Sequence, residues 1–190
     1  MDNWIFKYHE AIQKKEVIVG VWVWLCFEIL TTGLLNGEWE FNEKKANKAI
    51  KFIENFCHHS EGRSDLLHLE LWQKAIVSAI FGIMDKTTGY RQFREVFIIV
   101  ARKNGKTLFA AAIAAYMTYI DGEYGAKVYF LAPKLDQADL VYDAFYQIVQ
   151  SDDELDSITK KRRSDIYIKA FNTSVKKIAF NSKKSDGFNP

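Results

Sequence analysis

Ala101-Arg102-Lys103-Asn104-Gly105-Lys106-Thr107 is the stretch on which the fold turns. Just before it, 95–100 is Glu-Val-Phe-Ile-Ile-Val, a short continuous run rich in β-branched residues. Such a run predicts a strand buried on both faces, as in a parallel sheet. Just after it, 107–120 is Ala-rich and apolar all round, which predicts a buried helix. A strand, a glycine-bearing basic loop and a helix in that order is the arrangement that binds phosphate. Gly lets backbone N–H groups curl toward phosphate oxygens, Lys reaches the terminal phosphates, and Thr offers its hydroxyl to Mg²⁺. The helix adds its positive dipole end. Gly-Lys followed by Ser or Thr arises by chance in roughly one chain in ten of this length. The usual pattern has a Gly five residues before Gly105, where this chain has Val100. A basic turn between strand and helix is the plainer alternative.

Working outward, the pattern stays α/β on the C-terminal side. Residues 127–132 predict a second strand, closed by Pro133, and 136–150 an amphipathic helix with Ala138, Val141, Ala144, Phe145 and Ile148 on one side. Strand, helix, strand, helix means a parallel α/β sheet. Residues 166–168 and 177–180 alternate like an antiparallel hairpin. On the N-terminal side the chain reads as helices. Trp4, Ile5, Tyr8 and Ile12 share a helical face. Asn42 is placed to cap a helix carrying Ala46, Ala49, Ile50, Ile53, Phe56 and Cys57. That pattern breaks at 60–64, and a further helix is predicted over 70–81.

The composition narrows the class. Of 190 residues, 48% are hydrophobic and 26% charged, which excludes a disordered chain, and 2 Pro with 10 Gly exclude fibrous and low-complexity ones. With 26 basic against 24 acidic residues, any nucleic-acid contact has to come from a local patch. Cys26 and Cys57 form no CxxC pair, which points to a reducing cytoplasm. The run 17–35 comes nearest to a membrane span, but Glu28 interrupts it. The expectation is a helix buried in protein, with a polar partner for Glu28 and no stable membrane insertion.

Other residues carry weaker signals. Gln73, after Trp72, both donates and accepts hydrogen bonds and so can read an adenine edge, although a polar residue on an exposed helix face is the commoner case. Ala132-Pro133-Lys134 with Gln137 closes the second strand, where ligands sit in open α/β sheets. Cys57, His58, His59 and His68 lack metal-ligand spacing. Lys160-Lys161-Arg162-Arg163 reads as a solvated face or a phosphate-backbone contact.

Together these residues resemble the ATPase part of the large terminase subunit of tailed bacteriophages. That family's phosphate loop lacks the first Gly and has an Arg three residues before its Gly, as Arg102 stands before Gly105. Its adenine-reading Trp-Gln is matched by Trp72-Gln73, and its strand ending Ala-Pro, with a Gln soon after, by Ala132, Pro133 and Gln137. Residues 14–23 and 41–57 look like its helical beginning. Residues 186–190, Asp-Gly-Phe-Asn-Pro, look like the segment just ahead of its Walker B strand.

The resemblance implies an incomplete P-loop NTPase core with a parallel sheet (63–190), preceded by an N-terminal helical segment (1–62). It implies ATP and Mg²⁺ as cofactors. Gln73, Arg102, Lys103, Asn104, Gly105, Lys106 and Thr107 would bind nucleotide, Thr107 would ligate the metal, and Arg102 and Lys106 would act in catalysis. The implied activity is a motor that hydrolyses ATP to package viral double-stranded DNA into procapsids. It would work in the cytoplasm of the bacterial host as a homo-oligomer, with a small terminase subunit and the portal. The family's acidic Walker B pair and nuclease domain do not occur in these 190 residues, so the chain is expected to be a truncated fragment, inactive alone. A helicase-like P-loop ATPase and a non-catalytic remnant are the alternatives.

Overall fold

The computed structural model describes residues 3–59 and 62–180. The chain divides into two compact units, Met1–Lys51 with His68–Ile99, and Phe52–Leu67 with Val100–Pro190. Three helices and part of a fourth build the first unit. Helix α1 (Trp4–Gln13) starts where Asn3 Oδ1 accepts the Ile5 N–H at 3.0 Å, which satisfies one donor that the first turn leaves open. Helix α2 is Val21–Leu35. Strand β1 (Glu40–Phe41) leads into α3 (Glu43–Phe56), which the boundary between the units crosses. Asn42 Oδ1 accepts the Lys45 N–H at 3.0 Å, the expected cap. Helix α4 (Leu71–Gly82) runs into β2 (Ile83–Met84), antiparallel to β1. The core of this unit joins Ile5, Tyr8 and Ile12 of α1 to Phe27, Leu30, Ala75 and Ile83. Tyr8 meets Phe27 edge-on at 4.8 Å. Gly82 lets β1 lie close, since a Cβ there would be 2.6 Å from the Phe41 ring.

The run 17–35 differs from its expectation. It is not buried all round: Trp22 is 79% exposed, and Val21, Val23, Trp24, Leu25 and Ile29 also face out. A helix that is apolar on every side does not reveal which side its neighbours cover, and here α1 packs on the side carrying Phe27 and Leu30, with Tyr8 edge-on against Phe27. Glu28 does find its polar partner, with its Oε2 2.7 Å from His9 Nε2. Among the described residues no helix is long and apolar enough to cross a membrane.

The second unit holds the end of α3, α5 (Lys106–Tyr119), β3 (Lys127–Ala132), α6 (Leu135–Gln150), the short α7 (Asp153–Ser157), β4 (Thr159–Lys161), β5 (Ile166–Ile168) and β6 (Thr173–Ala179). The sheet order is β3-β6-β5-β4. Strands β3 and β6 are parallel, from Lys127 opposite Ser174 to Ala132 opposite Ala179, and β5 and β4 add antiparallel to β6. A hairpin is present, but it pairs 166–168 with 173–175; residues 177–179, expected as its second arm, instead pair in parallel with β3. Phe130 packs on Tyr142 and Phe145 of α6, and Tyr119 of α5 stacks on Phe145. Helix α5 is buried along Phe109, Ala111, Ala112, Ala115 and Tyr116, as its all-round apolar composition predicts. The architecture is α/β, with helices preceding it.

The strand expected over 95–100 is absent. No described strand pairs with this run, and Phe97 and Ile99 are 90% and 95% exposed. Apolar β-branched composition favours a buried, paired strand, but the ladder exists only where a partner supplies its hydrogen bonds.

Candidate functional site

The loop 101–105 leads directly into α5. Gly105 is the N-cap, in the left-handed region at φ +66°, and no side chain caps the helix. Lys103 also has a positive φ, +67°. The chain thus takes the left-handed region twice within three residues, a local course of the kind found in backbone turns that bind anions. Asn104 holds the curl from within: its Nδ2 donates to the carbonyls of Ala101 and Arg102, each at 3.3 Å. The Phe109 N–H to Gly105 carbonyl bond, 2.9 Å, begins the helical ladder.

Arg102, Lys103, Asn104, Gly105 and Lys106 are all exposed, while Thr107 is half-buried. A Cβ built on Gly105 would meet nothing within 4 Å, so the space ahead of the helix is open. Three exposed cations beside the start of an uncapped 14-residue helix are a setting that favours an anion. For a divalent cation the loop supplies one hydroxyl, that of Thr107. Among the described residues no cluster of three His, Cys, Asp or Glu could hold a metal.

Gln73 lies in the other unit, and its surroundings are informative. It is buried, and its Oε1 accepts the Glu70 N–H at 2.9 Å while the Glu70 side chain accepts from the backbone of Gln73. This is a capping box at the start of α4, and the Glu-x-x-Gln spacing that signals it is visible in the sequence. Pro133 follows β3 directly, and Gln137 lies in the first turn of α6, with its N–H donating to Lys134 at 3.1 Å. Cys57 is fully buried, and burial together with the negative charge of Asp152 pushes its thiol up to about 12. His59 Nε2 pairs with Arg63 at 2.7 Å. The resembling segment 186–190 lies outside the described residues, as do Ser60 and Glu61 within the predicted break.

The basic run forms an element that the sequence reading missed. Lys160 and Lys161 lie on the edge strand β4, and Arg162 and Arg163 on the turn beyond it. Their aromatic partners, Tyr146 and Tyr167, had no sequence signal pairing them with these cations.

Comparison with known proteins bears on the whole arrangement. No curated protein matches the chain. The crystal structure of the HK97 bacteriophage large terminase is similar in fold, with a TM-score of 0.65 and 24% identity. That similarity covers 77% of this chain and 29% of the HK97 protein, so the chain spans less than a third of that relative's length. The family model for the terminase large subunit ATPase domain matches residues 71–190, which hold both the phosphate-type loop and the sheet. With most of its length inside that match, the chain belongs to the terminase large subunit ATPase-domain family.

Proposed function

We propose that this chain is the nucleotide-binding part of a motor that uses ATP to move double-stranded viral DNA into a procapsid. The observation that carries the reading is the open, uncapped start of α5, where Lys103 and Gly105 take positive φ and Lys106 stands exposed. In this reading Lys106 holds the terminal phosphates and the Asn104–Gly105–Lys106 backbone cradles them. Thr107 takes the Mg²⁺ that, when bound, offsets charge on the β- and γ-oxygens. Arg102 and Lys103 add positive field, and Arg102 stabilises charge developing on the γ-phosphate. Gln73 reads adenine through the amide group that its cap leaves over. Residues 63–190 act as the ATPase part and 1–62 as a helical extension. Partners of the complete motor are viral DNA, a small terminase subunit, the portal and further copies of the motor subunit, acting in the host cytoplasm.

Calorimetric titration with Mg·ATP tests the core of this. Weak binding is expected from the native chain and none from Lys106→Ala, whose loss removes the main phosphate cation. Equal affinities for the two proteins would refute the assignment.

A further inference from the structure

We infer that the β4–β5 hairpin, through Lys160, Lys161, Arg162 and Arg163, is a contact surface for the phosphate backbone of double-stranded nucleic acid. The inference rests on the packaging reading for the identity of its partner. All four side chains are exposed. None forms an ion pair with a described residue, so their charge is open to an external anion. The acids nearest in sequence, Asp152, Asp153, Glu154 and Asp156, lie on α7 and its cap, on a separate element from the cations. Asp165, at the foot of the turn, is buried.

Two of the cations are already held in place. Lys161 Nζ lies 3.9 Å above the Tyr146 ring, and the Arg162 guanidinium 3.5 Å above the Tyr167 ring. Tyr167 is itself fixed, its hydroxyl donating to Asn172 Oδ1 at 2.9 Å. A long cation ordered before binding loses less freedom when it meets a phosphate. The register spreads the charge. Lys160 lies opposite Tyr167 and Lys161 opposite Ile166, so alternation sends the two lysines to opposite faces of the edge, with the arginines at its end.

Lysines on an edge strand also discourage unwanted pairing with other sheets. That accounts for Lys160 and Lys161 but not for two arginines beyond the strand, one of them stacked on a tyrosine. In a chain of 26 basic and 24 acidic residues, four consecutive cations with no ion pair among the described residues are a local departure that the overall balance does not supply.

The test is the salt dependence of duplex binding, read by fluorescence anisotropy with a labelled double-stranded DNA of arbitrary sequence. Each cation that neutralises a phosphate adds about 0.9 to the slope of log K against log salt. Lys160→Gln with Arg163→Gln leaves both ring-stacked cations intact and is expected to fold normally. It should lower the slope by about 1.8 and weaken binding at low salt. Lys44→Gln with Lys45→Gln on α3 removes the same charge elsewhere and should leave the slope unchanged. A hairpin variant indistinguishable from that control would overturn the inference. So would the absence of duplex binding by the native chain, or preservation of duplex binding alongside selective loss of an acidic protein partner. Lys106→Ala keeps the two readings apart. Lost nucleotide binding there, with an unchanged slope in the hairpin variant, removes the surface and leaves the nucleotide site. The opposite pattern removes the nucleotide site and leaves the surface.

Discussion

Gly105→Ala is the sharpest perturbation of the phosphate-type loop, because the structure separates its causes. At φ +66° and ψ 15°, Gly105 occupies the left-handed region. An L-residue there places its Cβ against its own backbone, at a cost of about 1–2 kcal/mol. Nothing else opposes the methyl group, since a Cβ would find no atom within 4 Å. Alanine also restricts the unfolded chain, which returns roughly 0.4–1 kcal/mol. The difference leaves about 1 kcal/mol of lost stability, all of it from backbone conformation. With a urea dependence of about 1–3 kcal/mol per molar, the unfolding midpoint should fall by roughly 0.3–1 M. The effect on ligand should be larger. If the loop escapes the strain by leaving the left-handed region, the N–H groups ahead of α5 turn away, and Mg·ATP affinity should drop at least tenfold, about 1.4 kcal/mol. Urea denaturation followed by circular dichroism and calorimetric titration read the two effects separately. A variant as stable as the native chain would show that Gly105 does not hold the left-handed conformation in solution. A destabilised variant with native affinity would show that nucleotide is not held by this loop.

Three further outcomes are expected. The buried Cys57 thiol keeps its proton up to about 12, whereas the unfolded thiol loses it near 8.5, so stability should be level below about pH 8.5 and fall above it by up to about 1.4 kcal/mol per pH unit; Cys57→Ala should flatten that fall between pH 8.5 and 10, and parallel pH profiles for the two proteins would refute it. Gly82→Ala drives a methyl group to 2.6 Å from the Phe41 ring and 2.9 Å from Ala46 Cβ, and should cost about 1–3 kcal/mol, partly restored by Phe41→Leu; additive losses in the double variant would contradict the steric cause. Purified residues 1–190 should hydrolyse ATP only at background rate, because β3 ends at Ala132 and β6 at Ala179, neither with a carboxylate to orient water; steady turnover abolished by Lys106→Ala would reveal a catalytic acid elsewhere in the chain.

What could be read from the sequence follows from which forces are local. The start of α3 was legible because Asn42 caps within three residues and the apolar positions repeat at helical spacing. Strand β3 and helix α6 were legible because Pro133 ends one and a clean amphipathic face marks the other. At 101–105 only the turn at Gly105 was legible, because glycine tolerates the left-handed region it occupies; Lys103, also at positive φ, carried no such signal. Strand β4 was not: Thr-Lys-Lys has no apolar alternation, and it is a strand only because β5 lies beside it. The half-exposed state of α2 and the unpaired run at 95–100 were hidden for a related reason. Composition states what a segment prefers to be covered by, while its neighbours decide whether it is covered. Gln73 shows the converse, a residue noticed for a possible ligand whose amide oxygen is committed to capping the helix that carries it.

The unpaired run bears directly on how the loop can act. In a strand–loop–helix phosphate site both flanks fix the loop, and here, among the described residues, only the downstream flank is held by packing. Helix α5 is anchored by Phe109, Ala111, Ala112 and Ala115, all at most 2% exposed, so its N-terminus and Gly105 have a firm footing. Upstream, 96–99 pair with no described strand, and Asn104 ties the loop back to Ala101 and Arg102. On the nucleotide-binding proposal, phosphate would then have to order the upstream half of the loop as well as engage it, and that ordering would subtract from affinity. Weak binding that still depends wholly on Lys106 is the signature of such a half-anchored site. The same reasoning places the leverage: residues that fix the 95–100 run should tighten nucleotide binding without touching the nucleotide. Substitutions within the buried face of α5 should loosen it by moving the one flank that is held.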